Sequence, residues 1–156
     1  LTPARDRSCS HPDAHGVLFD QPHVIAGART VVSKSGLADR CRLIEGDMFA
    51  AVPAAGDAYL IKRTLHDWDD DRARAVLQNC ARAGKPGARV LVIEMVVPPG
   101  NQPHQAKLYD LMMMVMLGGR ERTRYEFEDL LTSAGFRLIQ IVDTNTPLSV
   151  IEATLR

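Results

Sequence analysis

Short apolar runs that end in charge alternate with helix-period patterns along this chain, and that alternation limits the fold more than any single motif does. Gly16 to Asp20 (GVLFD) is compact, ends in a carboxylate and is followed by Pro22, which forces a turn before a helix expected from His23 to about Lys34. Arg42 to Met48 (RLIEGDM) reads as a second strand leaving through Gly46-Asp47, and Ala58 to Arg63 as a third. Asp69, Asp70 and Asp71 supply cap and first-turn carboxylates for a helix whose apolar face is Ala73, Val76, Leu77 and Cys80, with its stop near Gly84. Ala88 to Val96 is the fourth strand. Pro98, Pro99, Gly100 and Pro103 then make a rigid loop, and Gln105 to Leu117 is a Met-rich helix stopped by Gly118-Gly119. Thr123 followed three residues later by Glu126 has capping-box spacing, opening a helix that runs to Gly135. Phe136 to Val142 and Ser149 to Leu155 close the chain as two strands in succession. Strands alternating with helices predict an α/β fold with a doubly wound parallel sheet, and the terminal pair predicts an antiparallel hairpin edge.

Composition narrows the function classes. A chain of 156 residues with 46% hydrophobic content fits one domain with a real core. Lys plus Arg equals Asp plus Glu at 19 each, so there is no footprint of the kind that nucleic acid or an anionic membrane surface selects. A small-molecule partner is expected instead. Cys9, Cys41 and Cys80 are odd in number, far apart and without metal-ligand spacing, which argues against a disulfide framework or structural zinc and makes a reducing cytoplasm the default. No run approaches ~20 apolar residues, and no basic segment leads into an apolar one, so neither a membrane span nor a signal peptide is expected. The opening LTPARDRSCSHPDAH has neither helical nor strand periodicity and reads as a loose arm over residues 1–15, ahead of a domain over residues 16–156.

The chemistry concentrates between Tyr59 and Asp70 (YLIKRTLHDWDD), where an apolar strand breaks into Lys62, a His-Asp-Trp triplet and an acidic helix start. In open α/β sheets ligands sit beyond the carboxyl ends of the strands, which makes His66 the leading catalytic candidate.

From Gly16 onward the chain resembles the catalytic domain of S-adenosylmethionine-dependent O-methyltransferases of the caffeic acid and chalcone methylating type, including bacterial relatives acting on polyketides and pigments. The resemblance is carried by GVLFDQPHV, RCRLIEGDMF, KRTLHDWDDD, LVIEMVVP, YDLMMM, GGRERTRYEFEDLLTSAGF and SVIEA, in the family's order. It implies a Rossmann-like methyltransferase sheet with S-adenosyl-L-methionine as cofactor and no metal. Under it, His66 matches the general base that removes the proton of a hydroxylated aromatic acceptor, and Glu94 and Glu121 match the acidic residues flanking that base. Asp20 matches the carboxylate that meets the cofactor's ribose diol, Asp47 and Met48 the pair that meets adenine, and Lys62 and Asp67 two further cofactor contacts. Met113, with Met112, Met114 and Met116, resembles a thioether wall around the acceptor ring. Structural alternatives stand beside these roles. Glu94 could be a surface carboxylate at a strand exit, Glu121 one member of the solvated run Arg120-Glu121-Arg122, and Asp67 a helix cap. Trp68 is expected to be a packing anchor, and His104 an ordinary loop residue.

The chain departs from the family pattern at its start. The strand and glycine-rich turn that should precede Gly16 do not appear, nor does the helical domain through which the family forms homodimers. The resemblance therefore implies an N-terminally truncated domain whose sheet lacks its first, central strand, between the strand ending at Asp20 and the one ending at Lys62. The expected consequences are doubtful competence for the chain alone and one of three outcomes: a fragment, direct pairing of the flanking strands, or a strand supplied by another polypeptide. Competing functions are a nucleotide-dependent oxidoreductase, disfavoured by the lack of GxGxxG, a non-catalytic interaction module, and a metal-assisted transferase, which would need carboxylates facing one site.

Overall fold

The computed structural model describes residue 11 and residues 13–156, so most of the expected arm lies outside the described residues. The chain divides into two compact units, one ending at Asp47 and one spanning Met48–Arg156. The first is a βαβ element: β1 (Gly16–Asp20), α1 (Pro22–Lys34) and β2 (Cys41–Glu45), with β1 and β2 paired in parallel from Gly16 opposite Cys41 to Asp20 opposite Glu45. Pro at the start of α1 is suited to a first helical turn, where its missing N–H leaves no bond unmade. The second strand is shorter than the run Arg42 to Met48 suggests. Its partner stops at Asp20, so after the Gly46 N–H bonds the Asp20 carbonyl there is no ladder left to extend.

The second unit holds β3 (Ala58–Lys62), α2 (Asp70–Ala83), β4 (Arg89–Glu94), β5 (Val96–Val97), α3 (Gln105–Met116), β6 (Arg122–Thr123), α4 (Arg124–Ser133), β7 (Phe136–Asp143) and β8 (Ser149–Leu155). Its main sheet has the order β3-β4-β8-β7, parallel between β3 and β4 and antiparallel thereafter, which is the hairpin edge read from the sequence. Among the described residues, β1 and β2 form a two-stranded sheet of their own.

The core lies where α2 and α4 cover this sheet. Ala73, Val76, Leu77 and Cys80 of α2 meet Val90 and Val92 of β4, Phe127, Leu130 and Leu131 of α4, and Ile151 and Ala153 of β8, all buried. Each large side chain buried in this way contributes about 1.5–3 kcal/mol relative to exposure. Both helix starts carry the expected chemistry. The Asp69 carboxylate accepts the Arg72 N–H at 2.8 Å, and Thr123 with Glu126 completes a capping box. His104, expected to be an ordinary loop residue, caps α3 by accepting the Ala106 N–H on Nδ1 at 3.2 Å.

The fourth strand also departs from expectation. Ala88 to Val96 is interrupted after Glu94, whose β8 partner Ser149 is the first residue of that strand, and the chain then pairs Val96–Val97 with Arg122–Thr123 as a small parallel sheet. This diversion brings Gly119 to Arg122 onto the turn that carries His66. The Arg120 N–H donates to the His66 carbonyl at 2.9 Å. Arg122, fully buried, donates through one guanidinium nitrogen to the Leu65 carbonyl and through another to that of Trp68, each at 3.0 Å, and through Nε to Asp70 at 2.9 Å. Gly119 lies so close that a Cβ there would stand 2.1 Å from the His66 carbonyl oxygen and 2.5 Å from the Asp67 carbonyl carbon.

Two outcomes follow for unfolding experiments. Gly119→Ala has only backbone to push against and is expected to lose roughly 1–3 kcal/mol or more, read as a lower urea midpoint. Arg122→Leu strips charge-assisted bonds from two buried carbonyls and is expected to cost about 2–3 kcal/mol, whereas a change within 0.5 kcal/mol would mean that the guanidinium does not hold the turn.

Candidate functional site

His66 follows β3 in a 3-10 turn, Leu65–Asp67, entered through Arg63, which has the unusual φ of 49° for a non-glycine residue. Three consecutive residues near the turn need partners for their N–H groups, and the last residue of β4 provides them. Glu94 Oε1 accepts from Thr64 at 2.9 Å and Leu65 at 2.7 Å, and lies 3.4 Å from the His66 nitrogen. Glu94 is 1% exposed and Glu121 2%, so neither is a surface carboxylate and Glu121 is not part of a solvated charge run. A lone carboxylate in the apolar run of α3, Asp110, accepts the Glu121 N–H at 2.9 Å and so fixes that residue's backbone. Sequence reasoning passed over Asp110, Gly119 and Arg122. The charged residue inside LYDLMMM was the available signal for the first, and the doubled glycine before two arginines for the others.

A carboxylate faces each nitrogen of the imidazole, and the hydrogen bond is at Nδ1. His66 Nδ1 stands 2.8 Å from Glu121 Oε1, and Nε2 stands 3.3 Å from Asp67 Oδ1. With His66 neutral, the carboxylate at Nδ1 favours the tautomer carrying its proton there, leaving Nε2 as the basic atom on the side of the half-buried Asp67. The Glu121 hydrogen bond raises the His66 pKa above its ordinary 6.5; burial opposes this, and the charges of Glu94, Glu121 and Asp67 add to it. Because the folded value is the higher one, the stability gained from the protonated pair is fully present below the unfolded value and is lost as pH rises through the folded one. Glu94 is also raised above the usual carboxylate range, chiefly by burial, against the His66 charge and the Thr64 and Leu65 N–H groups. Glu94 Oε2 and Glu121 Oε2 are buried without hydrogen-bond partners.

His66, Glu94 and Glu121 offer ligand atoms within 4.8 Å of one another, so the facing carboxylates that a metal-assisted reaction requires are present. Their first oxygens are already engaged, one with Nδ1 and one with backbone N–H groups, an arrangement suited to orienting an imidazole.

The other residues singled out from the sequence are distributed over both units. In the first, Asp20 is exposed at the end of β1, where Oδ1 accepts the Gln21 N–H at 2.7 Å, and Asp47 is exposed beyond β2. In the second, Met48 packs half-buried against the core and its carbonyl accepts from Asn79 Nδ2 at 2.7 Å, and Lys62 is exposed at the end of β3. Asp67 does not cap α2, a task Asp69 performs. Met113 is buried while Met112, Met114 and Met116 are exposed, the last at 68%, so the run presents two faces as helical geometry requires. Trp68 packs edge-on to Phe49 with ring centroids 4.9 Å apart and lies under the Arg72 guanidinium, in keeping with an anchor. Cys41 and Cys80 are free thiols, and Cys9 lies outside the described residues.

Among the described residues, no helix is long and apolar enough to cross a membrane. An O-methyltransferase domain family matches residues 4–137, beginning within the segment expected to be a loose arm. The phenazine O-methyltransferase PhzM of Lysobacter antibioticus is 44% identical over 144 residues, covering 92% of this chain and 42% of that protein. The crystal structure of LaPhzM superposes with a TM-score of 0.89 at 43% identity over 95% of this chain and 45% of that one. The structure of NcsB1, an O-methyltransferase of neocarzinostatin biosynthesis solved with S-adenosyl-L-homocysteine and 1,4-dihydroxy-2-naphthoic acid, superposes at 0.84 with 32% identity over 95% of this chain and 44% of that one. The chain thus spans less than half the length of the curated relatives it matches. Fold and sequence agree, and this chain belongs to the O-methyltransferase domain family.

Proposed function

We propose that this chain contributes the proton-handling part of an O-methyltransferase acting on hydroxylated aromatic small molecules, with S-adenosylmethionine as donor and His66 as general base. The observation that carries the reading is the buried imidazole whose Nδ1 is bound 2.8 Å from Glu121, which leaves Nε2 to take a proton. The acceptor class is supported by NcsB1, solved with a dihydroxynaphthoic acid, and the donor by S-adenosyl-L-homocysteine in the same structure.

The side chains fit a cofactor that carries hydroxyls, an exocyclic amine and a carboxylate. Asp20 engages one carboxylate oxygen with Gln21, while Gln21 caps α1 without a side-chain bond, so Asp20 keeps an acceptor for a diol. Asp47 and Met48 would meet adenine, and Lys62, an exposed cation in no ion pair among the described residues, a carboxylate. When bound, the cofactor supplies a methyl group on positively charged sulfur.

The proton of the acceptor hydroxyl would pass to Nε2 of His66. A phenol near pKa ~10 is scarcely ionised at neutral pH, so removing the proton during attack lowers the barrier. Glu121 stabilises the imidazolium from Nδ1, and Asp67, 3.3 Å from Nε2, supports the proton just received. Glu94 acts one step back, holding the backbone of the turn. Met113 and Met116 are proposed to meet the acceptor ring and so to orient its hydroxyl.

In a complete or complemented enzyme, methyl transfer to an aromatic hydroxyl is expected to fall roughly a hundred- to ten-thousand-fold in His66→Gln, with little change in the affinity for S-adenosylhomocysteine; undiminished turnover would remove His66 from the mechanism. The acid limb of the pH–rate profile is expected above the ordinary histidine value of 6.5, because the imidazolium cannot accept a proton. Glu121→Gln keeps a hydrogen-bond acceptor but loses the charge, so this limb should move to lower pH. A limb in the same place in both proteins would rule out Glu121 as the source of the shift.

A further inference from the structure

Among the described residues, the Glu121 carboxylate has no hydrogen bond except the one to the ring it must orient: Oε1 meets Nδ1 of His66, and Oε2 is buried without a partner. A carboxylate fixed only by the imidazole cannot aim that imidazole, so its direction comes from its main chain. That main chain is held on one side by the pairing of Arg122 with Val96 and on the other by Asp110, whose Oδ1 accepts the Glu121 N–H at 2.9 Å. Asp110 is the only acidic residue of α3, and α3 lies lightly on the fold. Of its twelve residues Ala106 and Met113 are buried, while Leu108, Leu111, Met114, Val115 and Met116 are exposed. Among the described residues, side chains of α3 make hydrogen bonds at two places: Lys107 donates to the carbonyls of Gly100 and Gln102 in the preceding loop, and Asp110 accepts from Glu121. The second of these ties α3 to the carboxylate behind His66, and Met113, three residues further on, lies on the same side of the helix as Asp110.

We propose that Asp110 is a positioning residue for the proton transfer: by accepting the Glu121 N–H it aims that carboxylate at Nδ1 of His66, and it makes the proton affinity of the imidazole depend on where α3 sits. Resting on His66 as the base, this role links the base to the helix assigned to the acceptor ring. The contribution is one of place rather than charge. The charges that raise His66 are those of Glu94 on β4, Glu121 ahead of β6 and Asp67 in its own turn, while Arg122 and Asp70 beside the turn pair with each other. Removing the Asp110 acceptor leaves a buried N–H unpaired at Glu121, and rotation of that peptide toward another acceptor turns the carboxylate away from the ring.

Titration of the His66 imidazole by nitrogen NMR in the isotope-labelled full chain tests the role, with the resonance identified by its loss in His66→Gln. Asp110→Ala, a change that favours the helix, is expected to lower the titration midpoint by about half a pH unit or more and to move the neutral ring away from the tautomer protonated at Nδ1. Asp110→Asn keeps an oxygen where the carboxylate stood, and both readings are expected to match the unmutated chain. Asp110→Glu keeps the charge but displaces the oxygens by one methylene, so it is expected to behave as the alanine variant does and serves in its place should that variant not fold. A loss of stability by itself moves neither reading. An unchanged midpoint in Asp110→Ala or Asp110→Glu would overturn the role. So would an Asp110→Asn midpoint lowered as far as that of Asp110→Ala, because charge rather than place would then be acting. Whether His66 is the base is read separately, from turnover in His66→Gln: a failure there leaves the link from Asp110 to the imidazole standing, and an unaltered titration leaves His66 in the mechanism.

Discussion

The arrangement depends on one buried guanidinium. A 3-10 turn of three residues satisfies few of its own backbone groups, and Leu65 and His66 in it are buried, so their carbonyls need donors from elsewhere. Arg122 reaches those of Leu65 and Trp68 while its other edge binds Asp70 at the head of α2. Lysine, a point donor on a flexible stem, could not serve these directions at once. The same residue is locked by its own backbone pairing with Val96, so the turn, α2 and the small β5–β6 ladder share one fixed point. Gly119 then lets the strand approach within contact of the turn's backbone, which no side chain at that position would permit.

On that frame the chain buries an imidazole and two carboxylates, a combination that is costly unless each charge meets a partner. The partners are of different kinds. Glu94 is compensated by backbone N–H groups and so acts as a structural anion, holding the turn from the sheet side. Glu121 is compensated by the imidazole itself, while Asp110 holds its main chain. Burial alone would push the histidine toward its neutral form, and the Glu121 bond outweighs it, so His66 becomes more basic despite being 4% exposed. A residue buried merely for packing would have shown the opposite direction.

Local chemistry was legible in the sequence wherever it was decided locally. The Asp69 cap, the Thr123–Glu126 capping box and the apolar face of α2 rest on spacing within one element, the final strand pair on two runs adjacent in sequence, and all appear as expected. What escaped depended on distant partners. β2 and β4 end early because neighbouring strands stop, a fact invisible within RLIEGDM or ARVLVIEMV. Glu121 in a run of alternating charge reads as solvated until the folded chain sets His66, Asp110 and the β5 strand around it. His104 has none of the residue types usually sought at a helix start, although its ring nitrogen does the same work as a carboxylate oxygen.

Arg63 stands at the exit of β3, between the turn of His66 and an apolar cleft walled by α3 and the β7–β8 loop. Its positive φ turns the chain so that Lys62 and Arg63 line the apolar cleft while the next residues fold back beneath Glu94. Glycine would adopt that conformation without strain, and an L-residue pays about 1 kcal/mol or more for it. Here the side chain holds its guanidinium over the Tyr109 ring, 5.7 Å from the centroid. The separation also has a chemical consequence. The groups around the base are fixed by β3, β4, β6 and the start of α2, whereas the cleft draws its far wall from α3 and a hairpin loop. The bond between His66 and Glu121 is therefore held by elements other than that wall, save where Asp110 of α3 accepts the Glu121 N–H.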